Sequence, residues 1–425
     1  MNIAIIGSGI SGLVAAHQLH TEHAITLFEA NDYLGGHTHT VEVETDGRRY
    51  GIDTGFIVFN DWTYPHFVAL LETLGVASQP STMSFSVHCQ RSGLEYNGTS
   101  LNALFAQRRN LFRPAFYRMI RDILRFNREA LALLSEANAS ITLGEYLERH
   151  HYCAEFIHHY LVPMGAAIWS TDPTRLWAFP AAYLVRFFHN HGMLSVDQRP
   201  QWRVITGGSA SYVERLTAPW RDRIRLNCPV RRVLRSPHRV QLQLANGEQC
   251  TFDYVVMACH SDQALRLLVE PSGDEQAILG AIAYQSNEVI LHTDESLLPR
   301  HRRAWAAWNY HIPAEPGQRV AVTYNMNILQ GIDAPRQFCV TLNRGEDIDP
   351  DHIIRRFVYE HPVYTEAAVA AQRHYGRING PQRTFYCGAY WGYGFHEDGV
   401  KSALRMCRYL NYQLRNEKLH LRRAS

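Results

Sequence analysis

The sequence has few features of a secreted, membrane-spanning or nucleic-acid-binding protein. Its eight cysteines are scattered and form no CxxC pair, a pattern that favours reduced thiols over a disulfide framework. The longest nearly apolar stretch, 161–169, is far shorter than the roughly 20 residues that a membrane-spanning helix needs. The formal net charge of only +2 provides no general attraction to nucleic acid, so we expect no nucleic-acid partner.

Other absences concern localisation and metal binding. A strand pattern begins at Asn2, so we expect no secretion signal and a cytoplasmic protein. The adjacent histidine pairs 150–151 and 158–159 would point apart on a helix and chelate poorly, so we predict no metal site. What remains is a chain of 425 residues, 46% hydrophobic and 19% charged, which suits one large or two interlocked globular domains.

The N-terminus carries a complete nucleotide-binding pattern. A buried-strand signal at 3–6 precedes Gly7-Ser8-Gly9-Ile10-Ser11-Gly12 and an apolar helix, and a second strand at 24–28 ends at Glu29. The three glycines of such a turn permit a tight turn, close approach of the backbone to a pyrophosphate, and close helix packing, while the acid can bind a ribose. This unit predicts a Rossmann fold but does not separate NAD from FAD.

Further motifs favour FAD. Residues 31–40 (NDYLGGHTHT) resemble the second glycine motif of the FAD family that includes amine oxidases and carotenoid desaturases, and Asp53-Thr54-Gly55 resembles its next motif. Later matches of the same kind lie at 206–209, 228–233 with the strand 254–258, 385–388 and 398–400. The sequence departs from the family at His37, where arginine is usual, and at Ala389, where glutamate is frequent.

The resemblance implies non-covalent FAD and an α/β fold, in which a Rossmann-type FAD-binding domain is interleaved with an α+β substrate domain. We predict FAD-domain segments 1–75, 201–270 and 376–425, and substrate-domain segments 76–200 and 271–375. The cofactor contacts that the motifs imply are Gly7, Gly9, Ser11, Gly12, Glu29, Gly35, Gly36, His37, Thr38, Gly55, Val230, Gly388, Gly399 and Val400.

The two substrate-domain insertions have different patterns. The first is predicted to be mainly helical. The second alternates as strands, which we place at Glu288–His292, Arg303–Tyr310, Arg319–Asn325 and Gln337–Asn343. An antiparallel sheet covered by helices would place a pocket over the flavin at the domain junction.

A narrower resemblance concerns the substrate. Residues 50–65, 83–87, 104–107 and 305–310 are similar to bacterial predicted FAD-binding proteins and to the oxidase-like region ahead of plant cyclopropane fatty-acid synthases. It implies dehydrogenation or desaturation of unsaturated or methylated acyl chains, free or phospholipid-bound, by hydride transfer to flavin N5. Two alternatives stay open: an amine or amino-acid oxidase, and an FAD-binding accessory protein of a lipid-modifying partner enzyme.

One absence bears on the amine alternative. Many amine oxidases have a lysine near the flavin on the first substrate-domain strand. No lysine precedes Lys401 in this sequence, and Glu288 aligns with that position. This weakens the amine-oxidase hypothesis without excluding it.

The aromatic run 390–398 supplies the candidate catalytic residues. In the resembling family this region passes beside the flavin ring. We predict that Tyr393 and Phe395 line the pocket, that Tyr393 acts in catalysis, and that His396 or Glu397 accepts a proton. The alternative is packing for the aromatic residues and helix capping for Glu397.

A basic amphipathic stretch lies at 108–128. It holds seven arginines among apolar residues, and Pro114 marks the predicted first helical turn. Such a helix can lie on an anionic membrane, so we predict peripheral contact with the inner face of the membrane. The alternative is that one face packs on the core and the arginines are solvated.

Overall fold

The computed structural model describes residues 1–135, 141–315 and 319–424, with side chains through Glu417. Residues 136–140 and 316–318 of the two predicted insertions, and Ser425, therefore lie outside the described residues. The strands of the described chain are β1 Asn2–Ile6, β2 Ala24–Phe28, β3 Thr40–Thr45, β4 Arg48–Asp53, β5 Val58–Asn60, β6 Ser78–Pro80, β7 Phe85–Cys89, β8 Leu94–Asn97, β9 Trp202–Ile205, β10 Ile224–Arg225, β11 Val230–Arg235, β12 Val240–Leu244, β13 Gln249–Phe252, β14 Tyr254–Met257, β15 Ala283–His292, β16 Trp308–Ile312, β17 Val322–Asn325, β18 Cys339–Leu342, β19 Ile353–Val363 and β20 Thr384–Tyr386.

The α-helices range from short single turns to one long C-terminal helix. They are α1 Ile10–Leu19, α2 Pro65–Thr73, α3 Leu101–Leu104, α4 Pro114–Glu129, α5 Leu143–Arg149, α6 Ala154–Phe156, α7 Val162–Trp169, α8 Ala181–Asn190, α9 Ala210–Thr217, α10 Ser261–Leu267, α11 Gly273–Leu279, α12 Met326–Gln330, α13 Glu366–Gln372, α14 Tyr375–Ile378 and α15 His396–Ala424.

A parallel sheet forms the nucleotide-binding part of the molecule. Its strand order is β10-β2-β1-β14-β20, and every neighbouring pair is parallel. Ile3, Ala4 and Ile5 of the central strand are fully buried, because helices and loops cover both faces of a parallel sheet. The carboxyl ends of these strands share one edge, where ligands of such folds bind. The predicted α/β fold class with a Rossmann-type sheet is therefore confirmed.

A second, larger sheet lies over that edge. Its order is β19-β15-β18-β17-β16-β7-β8, and all neighbours are antiparallel except the parallel pair β16 and β7. One hydrophobic core joins this sheet to helices α4, α5, α7 and α8, through side chains such as Val87, Phe126, Leu147, Ala166 and Leu184. The sheet and these helices therefore form one packed body, although their residues come from both predicted insertions.

The strand predictions need three corrections. The first insertion opens with strands, because Phe85–Cys89 and Leu94–Asn97 form a hairpin that extends the large sheet. The strand predicted at Arg303–Tyr310 begins only at Trp308, because Arg302–Ala304 forms a 3₁₀ turn. The edge strand Ile353–Val363 was not predicted, and its exposed arginines hide the alternation of the inward-facing residues.

Helix α4 begins at Pro114, as the sequence predicts. Phe116, Met119 and Phe126 pack into the core, and Arg118 and Arg121 are exposed. The packing alternative thus accounts for one face of this helix. No helix of the described residues is both long enough and apolar enough to cross a bilayer.

Candidate active site

A cavity of about 1420 Å³ is lined by residues of both sheets. At one end it is lined by the loops that follow β1, β2 and β14, with residues such as Gly9, Glu29 and Ala258. At the other end it is lined by apolar residues of the large sheet and its helices, such as Ile123, Ile168 and Val289. We call the first part the nucleotide end and the second part the apolar end.

Three glycines shape the nucleotide end. Gly7 has φ +104°, which suits glycine, and its N–H donates to Phe28 O at 2.9 Å. A Cβ at Gly12 would lie 1.9 Å from Gly7 O, so only glycine allows α1 to pack this closely. A Cβ at Gly9 would have no neighbour within 4 Å, and Gly9 lines the cavity, so its backbone is open to a ligand.

Glu29 is held rigidly at the same edge. Its Oε2 accepts hydrogen bonds from Ser8 N at 2.9 Å and Ser8 Oγ at 2.5 Å, and its Oε1 accepts one from Asn31 N at 2.9 Å. The residue lines the cavity although it is only 7% exposed. A fixed carboxylate with spare acceptor capacity suits the hydroxyl groups of a ribose.

Most of the predicted cofactor residues converge here. The structure brings ten of them to the cavity wall: Gly7, Gly9, Ser11, Glu29, Gly35, Gly36, His37, Gly55, Val230 and Gly388. Among the described lining residues, Gly12, Thr38, Gly399 and Val400 are absent. These four residues lie behind that wall, and their contact with a cofactor stays a prediction.

Three of the four have a packing role, and Thr38 is hydrogen-bonded to Tyr212 and His396. Gly12 allows the close approach of α1. A Cβ at Gly399 would lie 2.6 Å from a methyl carbon of Ile10, and Gly399 O accepts a hydrogen bond from Ser11 Oγ at 3.1 Å. Val400 is 2% exposed in the core beneath the parallel sheet. These contacts bring the N-termini of α1 and α15 together at the cavity.

The glycine pair Gly207–Gly208 of the motif at 206–209 also lies behind the wall. Asp53 is fully buried and accepts hydrogen bonds from Ser209 N at 2.9 Å, Thr40 Oγ1 at 2.6 Å and Gln330 Nε2 at 3.2 Å. A Cβ at Gly208 would lie 2.5 Å from the Thr40 methyl group. The motifs at 53–55 and 206–209 thus meet in one network, and burial raises the pKa of Asp53 to about 6.

His37 stands in a group of buried aromatic rings. Its ring centroid is 5.1 Å from Tyr359, 5.3 Å from His361 and 6.1 Å from His260. Burial, followed by the repulsion of these histidines, holds the pKa of His37 well below its usual value. Where the resembling family has a permanent cation, this protein therefore has a neutral ring that can donate and accept hydrogen bonds.

The wall retains polar atoms that fit FAD. His37 Nε2, Tyr364 OH and Tyr390 OH are buried, belong to cavity-lining residues and have no hydrogen-bond partner among the described residues. Buried polar atoms normally find a partner, and a dinucleotide carries many donors and acceptors. Together with the glycine cradle and Glu29, these atoms make the nucleotide end a suitable place for FAD, which would bind along the residues named above.

His396 is neutral and bound in place. Its Nε2 lies 2.9 Å from Thr38 Oγ1 and 3.0 Å from Tyr212 OH, and its ring stacks on Phe56 with centroids 3.4 Å apart. Burial lowers the pKa of His396 to about 3. Although the residue lines the cavity, such a weak base would not retain a proton near neutral pH. The geometry therefore supports a positioning role for His396 more than the predicted proton-acceptor role.

Glu397 does not reach the cavity. Its oxygens accept hydrogen bonds from His66 N at 3.2 Å and Phe67 N at 2.9 Å, at the N-terminus of α2, and one lies 3.5 Å from Lys401 Nζ. A carboxylate at this position stabilises the start of α2. These contacts support the capping alternative for Glu397, while its role as a proton acceptor stays a prediction.

Tyr393 and Phe395 line the cavity, as predicted. Asp398 Oδ2 accepts hydrogen bonds from Tyr393 N at 3.0 Å and Phe395 N at 3.1 Å, which fixes the loop before α15. The Tyr393 ring lies 4.4 Å from Tyr183, and burial raises the pKa of Tyr393 to about 12. A protonated phenol of this kind can donate a hydrogen bond but does not act as a base near neutral pH.

Glu288 is on the wrong face of its strand to act at the flavin. It forms an ion pair with Arg356 at 2.8 Å, and both side chains are partly exposed. The next residue, Val289, lines the cavity because side chains alternate along a strand. Glu288, which aligns with the lysine of amine oxidases, is therefore not a cavity residue.

Sequence reasoning missed several wall residues. His260, His361 and Tyr364 line the cavity but lie outside the glycine motifs. Tyr364 directly follows the unpredicted strand Ile353–Val363, and His361 lies within it. A prediction of that strand would have made both residues candidates for the cavity wall. Among the described residues, no group of three or more His, Cys, Asp or Glu side chains is arranged to hold a metal ion.

Comparisons with known proteins agree with this site. Residues 10–325 match the family described as flavin containing amine oxidoreductase. A 1-hydroxycarotenoid 3,4-desaturase of Flavobacterium sp. (strain P99-3) is 41% identical over 71 residues, which are 16% of this chain and only 13% of that protein.

Two solved structures share the fold over nearly their whole length. Cyclohexylamine oxidase from Brevibacterium oxydans IH-35A has a TM-score of 0.67 at 17% identity, covering 96% of this chain and 99% of that chain. A CLA-producing fatty acid isomerase from P. acnes also has a TM-score of 0.67 at 17% identity, covering 96% and 98%. The family match spans well over half of the chain, and its flavin fits the nucleotide end. The chain therefore belongs to the flavin containing amine oxidoreductase family and is an FAD-dependent oxidoreductase.

Proposed function

We propose that this protein dehydrogenates unsaturated or methylated fatty acyl chains, with the acyl chain in the apolar end of the cavity. The observation that carries the proposal is the composition of that wall. Aliphatic side chains from four separate elements face the cavity: Ile123 on α4, Ile168 on α7, Val289 on β15 and Leu329 on α12. Such a lining favours a long hydrocarbon, because each buried methylene gains about 0.8 kcal/mol on leaving water.

The charges of the wall also favour an acyl chain over an amine. Among the described lining residues the only acids are Glu29 and Glu360. Glu29 is hydrogen-bonded at the nucleotide end, and Glu360 lies 3.6 Å from His260. The apolar end thus offers no carboxylate to an ammonium group, whereas an uncharged chain needs none.

The names of two similar proteins support an apolar substrate. One relative is named a carotenoid desaturase and one structural neighbour a fatty acid isomerase, and both names describe long apolar substrates. The other neighbour is named an amine oxidase, so the shared fold alone does not choose between the substrates. The choice rests on the wall.

Bound FAD would accept the two electrons that leave the substrate when a C–H bond is broken. The residues of this chain would do the remaining work. Tyr393, Phe395 and Trp169 would hold the hydrocarbon and exclude water, and the Asp398 hydrogen bonds would keep that aromatic loop in place. Dehydrogenation removes one hydrogen as a hydride, which bound FAD would accept, and one from the neighbouring carbon as a proton, which would pass to water.

Anaerobic mixing of the purified flavoprotein with two substrate panels tests the proposal. The first panel contains methylated and unsaturated fatty acids and phospholipids, and the second contains small amines and amino acids. We expect a lipid to bleach the oxidised-flavin absorbance, and mass spectrometry of that lipid to show a loss of two hydrogens.

Two outcomes would reject the proposal. Bleaching by an amine alone would assign the protein to amine oxidation. No bleaching by either panel, with FAD bound at one per chain, would instead favour an accessory role beside a lipid-modifying enzyme.

A further inference from the structure

One surface of the protein combines exposed apolar side chains with the mouth of the cavity. Six of the fourteen exposed large hydrophobic residues of the described chain lie within 101–131. Phe112 is 86% and Leu101 is 77% exposed, and Tyr117 and Leu124 are each nearly half exposed. We call these four residues the apolar rim. Exposed apolar groups at this density mark an interaction site.

The rim is continuous with the cavity through helix α4. Ile120, Ile123, Leu124 and Asn127 follow the i, i+3, i+4, i+7 spacing of one side of a helix, and all four line the cavity. Leu124 is both a cavity residue and 46% exposed, so it lies where the wall meets the solvent. Leu104 of α3 lines the same cavity, three residues after Leu101 of the rim.

Positive charge surrounds the rim. Residues 108–128 contain seven arginines, and the only acid among them, Asp122, is buried. Arg118 is paired with Glu155 and Arg125 with Asp122 and Glu129, but Arg113 and Arg128 have no carboxylate within 4 Å among the described residues. The surface beside the apolar rim is therefore cationic.

A second exposed segment of the cavity wall carries an apolar residue and an arginine as well. Val196 and Arg199 lie on the loop after α8, and both line the cavity and are exposed. Val196 is 63% exposed. This segment therefore also offers an exposed apolar residue and an arginine, with the exposed Asp197 between them.

We propose that this face docks on an anionic phospholipid bilayer, so that an acyl chain enters the cavity directly from the membrane. The identity of the acyl chain that enters rests on the proposed function. Docking itself does not. The rim residues would insert among the acyl chains at the interface, while Arg113, Arg128 and Arg199 would meet lipid phosphates.

A bilayer explains the combination better than a protein partner does. An anionic bilayer matches an apolar rim and a cationic flank at once, since it has an apolar interior beneath a layer of phosphates. A protein partner would not need the apolar end of the cavity beside the rim. A lipid chain could enter it from the bilayer without passing through water.

Vesicle sedimentation with the FAD-loaded protein tests docking. Vesicles of phosphatidylcholine with 30% phosphatidylglycerol are compared with pure phosphatidylcholine. We expect the anionic vesicles to bind the protein at least about tenfold more strongly, because each basic residue at such a surface contributes on the order of 1 kcal/mol. Binding should fall as the salt concentration rises.

Two rim variants and two matched controls locate the contact. Phe112→Ser and the double variant Arg113→Glu/Arg128→Glu should each lower binding about tenfold or more. The controls Tyr412→Ser, at an aromatic residue that is 70% exposed, and Arg221→Glu/Arg239→Glu should bind like the unaltered protein. Equal FAD content and equal melting temperatures show that all variants are folded.

Two results would overturn the inference. One is a protein that stays in solution with anionic vesicles at low salt, and the other is a pair of rim variants that bind as well as their controls. A dimer that Phe112→Ser dissociates, without vesicle binding, would assign the rim to a second copy of the chain instead.

Failure of docking and failure of the proposed function give different results. Sedimentation needs no turnover, so a protein that docks but is never reduced by lipid retains the docking inference alone. If the protein does dehydrogenate acyl chains, the flavin of the rim variants should be reduced more slowly by lipid in vesicles. The same lipid dispersed as detergent-bound monomers should reduce it at the usual rate. Equal slowing in both forms would contradict a docking role for the rim.

Discussion

The two ends of the cavity are built in different ways. The nucleotide end consists largely of backbone at the edge of a parallel sheet, with Gly7, Gly9 and Gly12 in one turn and Glu29 at the end of the next strand. The apolar end consists of side chains from α4, α7, β15 and α12, which are far apart in the sequence. The first end depends on local geometry and the second on tertiary packing.

This difference separates what each end can tolerate. A backbone site fails when one added methyl group collides with a neighbouring strand or turn. A wall of aliphatic side chains accepts many substitutions of similar volume but changes the shape that it offers to a substrate. Cofactor binding and substrate choice should therefore respond to different mutations.

The largest effect is expected at the glycine turn. Gly12→Ala would place a Cβ at 1.9 Å from Gly7 O, which α1 can avoid only by moving away from the sheet. We expect a loss of roughly 3 kcal/mol or more in the free energy of unfolding, at the upper end of overpacking effects. FAD content and denaturant unfolding measure the two consequences.

The matched control for that change is Gly273→Ala, where a Cβ would meet no atom within 4 Å. It should retain full FAD and change the stability by less than about 1 kcal/mol. If Gly12→Ala behaved like Gly273→Ala, the close backbone packing of the nucleotide end would not be what holds the cofactor.

A smaller effect is expected at His396, which lines the cavity but is bonded to the nucleotide end. Its pKa of about 3 lies below its ordinary value of 6.5, so between these pH values the unfolded chain binds a proton that the folded protein excludes. The stability that it contributes is complete above pH 6.5 and is lost as the pH falls toward 3.

His396→Phe should remove this dependence, since Thr38 and Tyr212 would keep their mutual hydrogen bond of 2.6 Å. Urea unfolding between pH 4.5 and 6 should show a slope shallower than that of the unaltered protein by about 1.4 kcal/mol per pH unit. The control His238→Phe changes an exposed histidine and should leave the slope as it is. An unchanged slope in His396→Phe would show that this ring does titrate in the folded protein.

The sequence predicted the nucleotide end well because its signals are local. The turn 7–12, the strand 24–28 and Glu29 occupy one continuous segment, and the structure brings them to the same sheet edge. Gly399 and Val400, which the motif identifies as cofactor contacts, lie where α15 packs against α1, and their contact with a cofactor stays a prediction.

The apolar end was less predictable because no local pattern states which residues will meet. Ile168 and Val289 become neighbours of one cavity only when the large sheet and its helices assemble. The sequence also did not predict which face of β15 each side chain occupies. Glu288 and Val289 are adjacent, but they face opposite sides of the strand. The contact of Glu397 with the start of α2 was not predicted for a similar reason, because α2 comes from a distant segment of the sequence.

The central claim is that FAD and an acyl chain share one cavity, each in its own end. Ile168→Trp tests it most directly, by filling the apolar end, with Ile354→Trp on an exposed strand position as the matched control. We predict that both variants retain FAD, and that only Ile168→Trp loses about 100-fold in the anaerobic rate of flavin reduction by lipid, since displacement of the reacting carbon has effects of this size. Flavin reduction by lipid at the unaltered rate in Ile168→Trp would contradict the account.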